Sequence, residues 1–239
     1  MGFDKRSIMA ANNNADLYEA MFASRGLHYT RLPYAFIGKD RPPPYYSNLT
    51  VLAPDNTGEI VRRLGTLARQ FDGAIGVKDS FCELELQDHG FSELFRATWM
   101  WRAAGVPSTL QGWRLIEDSS DLKLWEAAWK ECGSPTNSLM FEDAMLRWPN
   151  IYFFGRKGRN RFEAGCIANR SGDCIGISNV YSRSSPKDAF AEATASAASI
   201  DRKLPIVGYE AGSALQDALL LGFEPVGDLR ILVAEAAAF

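Results

Sequence analysis

The sequence predicts an α/β protein on a mixed sheet, made of two related halves of unequal completeness. Three observations predict it. From Gly176 to Val233, apolar alternation, helix punctuation and a short buried run give the order strand, helix, strand, helix, strand. A shorter version of that order occupies Tyr45 to Arg102. The 239 residues, 46% hydrophobic and 23% charged, describe an ordinary globular chain, long enough for one large domain or for two of about 100–150 residues each.

In order, Met1 to Asn14 is polar, contains three consecutive asparagines, and is expected to be a loose arm. Asn14 is a helix-capping residue type, and Ala15 to Ser24 follows with Leu17, Ala20 and Met21 on one face until Gly26 ends it. Leu27 to Lys39 is rich in Tyr, Phe and Ile and gives one or two strands broken at Pro33. Pro42-Pro43-Pro44 makes a stiff connector. Gly58 to Phe71 reads as a helix, Ala74 to Val77 as a strand, Glu83 to His89 as a helix and Leu94 to Trp101 as a closing strand.

Ala103 to Gln111, with Gly and Pro together, is the linker candidate. Trp113 to Glu117 is a strand. Ser119 or Ser120 caps a helix that ends before Gly133-Ser134-Pro135, and Phe141 to Trp148 forms a second short helix. Ile151 to Arg156 and Phe162 to Ala168 are strands, and a turn at Arg170 to Gly172 leads into Ile175 to Tyr181. Ser185 as N-cap, Pro186 at the first helical position and Asp188 at the third open an Ala-rich helix. Leu204 to Tyr209 is a strand, Ser213 to Leu221 a helix closed by Gly222, and Val226 to Ala234 the last strand.

The halves share anchors at nearly constant spacing. Ser47-Asn48-Leu49 parallels Ser178-Asn179-Val180 131 residues on, and His89-Gly90-Phe91 parallels Leu221-Gly222-Phe223 132 residues on. An incomplete first domain, 1–106, and a complete second one, 107–239, follow from that match.

A net charge of −3 with interspersed signs gives no field for nucleic acid or an anionic membrane. The amino end lacks an apolar secretory region, so a cytoplasmic protein is expected. The four cysteines lack C-x-x-C spacing, and with two histidines no metal site is expected. Cys166 and Cys174 can approach each other across a hairpin, or serve as small core thiols.

The strand-helix-strand-helix-Gly-Phe-strand run of the second half, with Leu221-Gly222-Phe223, resembles the GNAT acyltransferase superfamily. The resemblance implies transfer of an acyl group, such as acetyl, from acetyl-CoA or another acyl-CoA to a small-molecule or protein amine. It implies that the cofactor arm pairs with the fourth-strand backbone, here Asn179, Val180 and Tyr181, and that its phosphates meet the following turn, here Arg183, Ser184, Ser185 and Lys187. This chain departs from the pattern. The glycines of the phosphate loop are missing, Asp188 brings a carboxylate to the first turn, and alanine stands at 211 and 218 where the family favours Asn and a proton-donating Tyr. Tyr209 and Glu210, leaving the fifth strand at the cleft, are the catalytic candidates, Glu210 as base and Tyr209 as proton donor. The plainer reading of that pair is a packed tyrosine beside a solvated carboxylate. A catalytically silent relative that binds a ligand or another protein is the alternative function.

Overall fold

In the computed structural model, which describes residues 2–106 and 112–234, the strands join one eleven-stranded sheet in the order β1-β2-β3-β4-β11-β5-β10-β9-β8-β7-β6. The chain runs α1 (Lys5–Ser24), β1 (Tyr29–Leu32), β2 (Ala35–Gly38), β3 (Leu49–Val51), α2 (Thr57–Gln70), β4 (Ile75–Asp79) and β5 (Phe91–Arg102). It continues β6 (Trp113–Leu115), α3 (Ser119–Glu131), β7 (Ile151–Lys157), β8 (Phe162–Ser171), β9 (Cys174–Ser182), α4 (Pro186–Ala198), β10 (Ile206–Glu210), α5 (Gly212–Leu220) and β11 (Glu224–Ala234).

The expected loose arm is a correction, because residues 5–14 are the first half of α1. Asp4, and not Asn14, caps that helix by accepting from the Arg6 N–H. Asparagine is a poor helix former, and here each one finds a partner outside the helix. The Asn12 amide donates to Leu52 O, Asn13 and Asn169 exchange amide-to-carbonyl bonds of 3.1 and 2.8 Å, and Asn14 accepts from Lys78. Gly176 makes the approach possible, since a side chain there would collide with the Asn13 and Asn169 amides.

The helix expected over Glu83 to His89 shrinks to a 3₁₀ turn at Gln87–His89. Asp79 is the cause: its carboxylate takes the Glu83 and Leu84 N–H groups, and Cys82 adopts φ 56°. The helix over Phe141 to Trp148 is likewise a 3₁₀ segment at Asp143–Arg147, and Asp118, not Ser119 or Ser120, caps α3. Residues 107–111 of the expected linker lie outside the described residues, while Val106 is buried against the second-half core.

β3 pairs with β4 and β9 with β10 in parallel, each pair joined through a helix. Between these pairs the closing strands trade sides. β11 lies between β4 and β5, and β5 lies between β11 and β10, all antiparallel. The Gly-Phe anchors close in the same way: Gly90 (φ 74°) and Gly222 (φ 84°) are left-handed, and the Phe91 and Phe223 N–H groups donate back to Leu86 O and Ala218 O.

α1 crosses β5, β8, β9, β10 and β11 on one face, with α3 beside it over β8 and β9. α4 and α5 cover β9 and β10 on the other. At the centre Arg230 of β11 donates to Asp79 at 2.9 Å, both side chains at least nine-tenths buried. Removing one member of such a pair strands the other. Arg230→Met is therefore expected to cost about 3–5 kcal/mol in urea unfolding, and adding Asp79→Asn, which removes the stranded charge but keeps an acceptor for the Glu83 and Leu84 N–H groups, to recover part of it. A loss below about 1 kcal/mol in the single variant, the range of an exposed pair, would show that water reaches Asp79.

Candidate functional site

β9 and β10 hydrogen-bond only over Ile175/Ile206 and Gly176/Val207. Beyond that point they part, because β9 carries a bulge in which Asn179 and Val180 together oppose Cys166 of β8. Asn179 takes the left-handed conformation that the bulge needs (φ 52°), one an asparagine tolerates. The β10-facing edge of residues 178–182 is left without a partner strand, the arrangement that accepts an extended ligand as an added strand.

Two cavities open at this gap, and Val180 and Glu210 line both. The larger, about 260 Å³, lies towards α1 and is walled by Asn14, Tyr18, Tyr45, Tyr46, Trp129 and Tyr209. The smaller, about 150 Å³, is a slot between the ends of α4 and α5, with Cys132, Tyr181, Pro186, Phe190, Ala214 and Asp217 around it. Successive β10 residues face opposite ways. Tyr209 thus turns to the α1 side, packing its ring edge on Trp99 at 5.3 Å, whereas Glu210 sits at the junction. The Glu210 carboxyl is half-buried, and desolvation raises its pKa to about 7.

Tyr181 lines the slot, and its buried hydroxyl has no hydrogen-bond partner among the described residues. Its ring packs on Trp125 at 5.1 Å, and burial pushes its pKa up. Such an orphan in a cavity wall suits a ligand that accepts a hydrogen bond. Val180 stands at the same wall, whereas Asn179 lines the larger cavity.

The turn after β9 is different. Ser184 and Ser185 N–H both donate to Ser182 Oγ at 3.2 Å, Arg183 N–H donates to Glu163 O, and Asp188 N–H donates to Ser185 Oγ at 3.4 Å. Pro186 has no N–H. The Arg183 guanidinium is held by Glu131 and by Phe162 O at 3.2 Å. Lys187 is exposed on the first turn of α4. The gap therefore fits the thioester arm of an acyl-CoA, but the turn does not fit its diphosphate.

Sequence reasoning located Tyr209, Glu210 and the β9 residues, and the structure brings these together. Of the two cavities, Tyr209 lines the larger and not the slot. Sequence reasoning missed the α1 wall and Lys78. Lys78, on β4, is 1% exposed and donates to Asn14 Oδ1 at 2.6 Å, with its ammonium 4.9 and 4.6 Å from the Tyr18 and Tyr209 ring centres. Desolvation opposes its charge, but the two tyrosines outweigh it and hold its pKa above the ordinary lysine value. A signal existed, since Lys78 precedes Tyr209 by the 131-residue repeat spacing. Trp129 carried no such signal.

No protein-family profile matches the sequence, and no curated protein does. Solved structures share the fold. A GCN5-related N-acetyltransferase from Kribbella flavida aligns with TM-score 0.64 at 13% identity, covering 94% of this chain and 95% of that one. One from Sphaerobacter thermophilus aligns at 0.54 and 12%, covering 96% and 90%. Saccharomyces cerevisiae N-myristoyltransferase with bound myristoyl-CoA aligns at 0.52 and 7%, covering 87% and 66%. At these identities the likeness is one of fold, that of the GNAT acetyltransferases. Among the described residues no helix is long and apolar enough to cross a membrane.

The raised Glu210 pKa has a stability consequence. Below the unfolded value near 4.5 the carboxyl is neutral in both states, and as pH rises towards about 7 only the unfolded chain ionises freely. Stability is thus lost across that window. Glu210→Gln should match the parent Tm at pH 4 and exceed it at pH 8; equal Tm values at both would mean that Glu210 is solvated.

Proposed function

We propose that this chain is an acyl-CoA-dependent N-acyltransferase of the GNAT fold that acylates an amine in the β9/β10 gap. The observation that carries this reading is Glu210, a carboxyl with a pKa of about 7 standing between the two cavities. A base poised near the working pH is what an ammonium acceptor needs before it can attack. The acyl-CoA supplies its acyl group as a thioester, with the arm along the free edge of Asn179, Val180 and Tyr181 and the sulfur end in the slot. The Tyr181 hydroxyl donates to the arm there. Arg183, Ser184, Ser185 and Lys187 touch the phosphates at most from outside, through Lys187 and the hydroxyls.

Glu210 takes a proton from the ammonium. The amine nitrogen then bonds to the acyl carbon, the carbon–sulfur bond breaks as the leaving thiolate takes the proton that Glu210 holds, and the extra proton still on the new amide nitrogen passes to solvent through the freed Glu210 carboxylate. Tyr209, on the acceptor side, helps to hold the acceptor molecule and does not serve the thiolate. We also infer that residues 1–106 are an incomplete GNAT-like copy and 107–239 a complete one, joined by exchange of the closing strands β5 and β11. The strand order supports this. Four free cysteines suit a reducing, cytoplasmic location.

One observation favours a second reading. The internally bonded turn 183–188 is what a silent relative, binding a ligand or a protein without turnover, would also have. Mass spectrometry of acetyl-CoA incubated with a panel of amines separates the two. If the enzyme reading holds, Glu210→Gln lowers turnover by about 10²–10⁴ and removes the pH-rate limb near 7. No acylated product with any amine would leave the silent relative.

The occupied turn makes a further expectation. Acetyl-pantetheine, which lacks the diphosphate, should bind within about tenfold of acetyl-CoA by calorimetry. A much larger loss on removing the diphosphate would mean that the turn opens to receive it.

A further inference from the structure

We propose that the acceptor carries a carboxylate as well as its amine, so that it is an amino acid rather than a simple alkylamine, and that Asn14, Tyr18 and Tyr209 seat this carboxylate above Lys78. The proposal rests on the acyl-transfer reading only for the role of the amine.

Lys78 is the starting point. Its ammonium is buried, and among the described residues no carboxylate pairs with it. The aromatic faces and one amide oxygen keep the ammonium charged but supply no counter-charge, so a positive potential remains at this point of the structure. The three groups that surround the ammonium, Asn14, Tyr18 and Tyr209, are also walls of the 260 Å³ cavity. The Tyr18 oxygen accepts from the Ser47 N–H at 3.4 Å, which leaves its own O–H as a donor. The floor is therefore positive and lined with donors, and a ligand carboxylate would supply the missing counter-charge through charge-assisted bonds.

The same cavity also has a group of the opposite character. Glu210 is there, at the junction with the slot, where an amine must lie to reach a thioester. A monoamine would leave the floor unmatched, and a simple carboxylic acid would leave Glu210 unmatched. An amino acid satisfies both.

The cavity's outer wall limits the acceptor to a small molecule. Tyr45, in a left-handed conformation (φ 69°) unusual for a bulky side chain, donates its hydroxyl to Pro135 O at 2.8 Å and rests on Trp129 at 5.7 Å between ring centres. The stiff Pro42-Pro43-Pro44 segment leads into this strap, which ties the first-half connector to the loop after α3. A polypeptide carrying its amine into the gap would have to displace it.

The test is calorimetry on the full chain without acyl donor, with L-phenylalanine, 6-aminohexanoate, 3-phenylpropionate and phenethylamine as probes. At least one of the amino acids should bind about tenfold or more tighter than phenethylamine. Lys78→Met should erase that preference. Tyr18→Phe, which keeps the ring and removes the hydroxyl, should weaken the carboxylate probes alone, and it guards against a folding defect in the lysine variant. Phenethylamine binding as tightly as the amino acids, preference unchanged in Lys78→Met, or no probe binding would each overturn the proposal. The two readings fail separately. Lysine-dependent amino acid binding with no acylated product would keep this inference and remove acyl transfer. Equal kcat/KM for phenethylamine and phenylalanine would do the reverse.

Discussion

The antiparallel pair β5–β11 is the constraint on which the rest of the structure depends. β11 ends the chain's described part, yet it lies next to β4 and carries Arg230 to Asp79. β5 belongs to the first half, yet it provides the partner of β10 along Ile206 to Glu210. Each half's parallel pair is thus completed by the other half's closing strand. Neither could be removed without exposing a row of N–H and C=O groups on a central strand, where every unpaired group is unfavourable. That exchange also fixes the end of β10, and with it the point at which Tyr209 and Glu210 leave the sheet.

The same exchange explains why α1 runs where it does. Once β5 and β10 are neighbours, the helix that covers the middle of the sheet touches strands of both halves. Its polar residues become the joints: Asn13 to Asn169 on β8, Asn14 to Lys78 on β4, and Asp16 to Ser171 and Arg31. Buried polar groups of this kind persist only when each finds its partner.

Local punctuation was legible in the sequence and long-range pairing was not. The Ser185 cap with Pro186, the left-handed Gly222 and the spaced Gly-Phe anchors are all decided by a few neighbouring residues. They set the second half's element order correctly. The three asparagines looked like a loop because their partners lie 40 to 156 residues away. The helix expected at Glu83 failed because the Asp79 carboxylate, already oriented by Arg230, takes two of the N–H groups that would begin it. At the site, Glu210 could be found by position on its strand. The other tyrosines of the larger cavity could not, since Tyr18, Tyr45 and Tyr46 meet Tyr209 only through the fold.

Under the proposed repeat, the contrast between the two halves bears on how one of them came to hold the site. Lys78 and Asp79 stand at the end of β4 as Tyr209 and Glu210 stand at the end of β10. In the first half the carboxylate is neutralised by Arg230 and by backbone N–H groups, and the gap beside it is filled. In the second half Glu210 has no such partner among the described residues, so burial acts on it and its pKa rises. The first half's remaining charge, Lys78, points to the α1 face and lies under the second half's cavity. A copy that has closed its own gap thus contributes a wall and a cation to its neighbour's. The chemistry of the site is then a property of the joined sheet, because a free second half would keep Glu210 but lose Lys78, α1 and the Tyr45 strap.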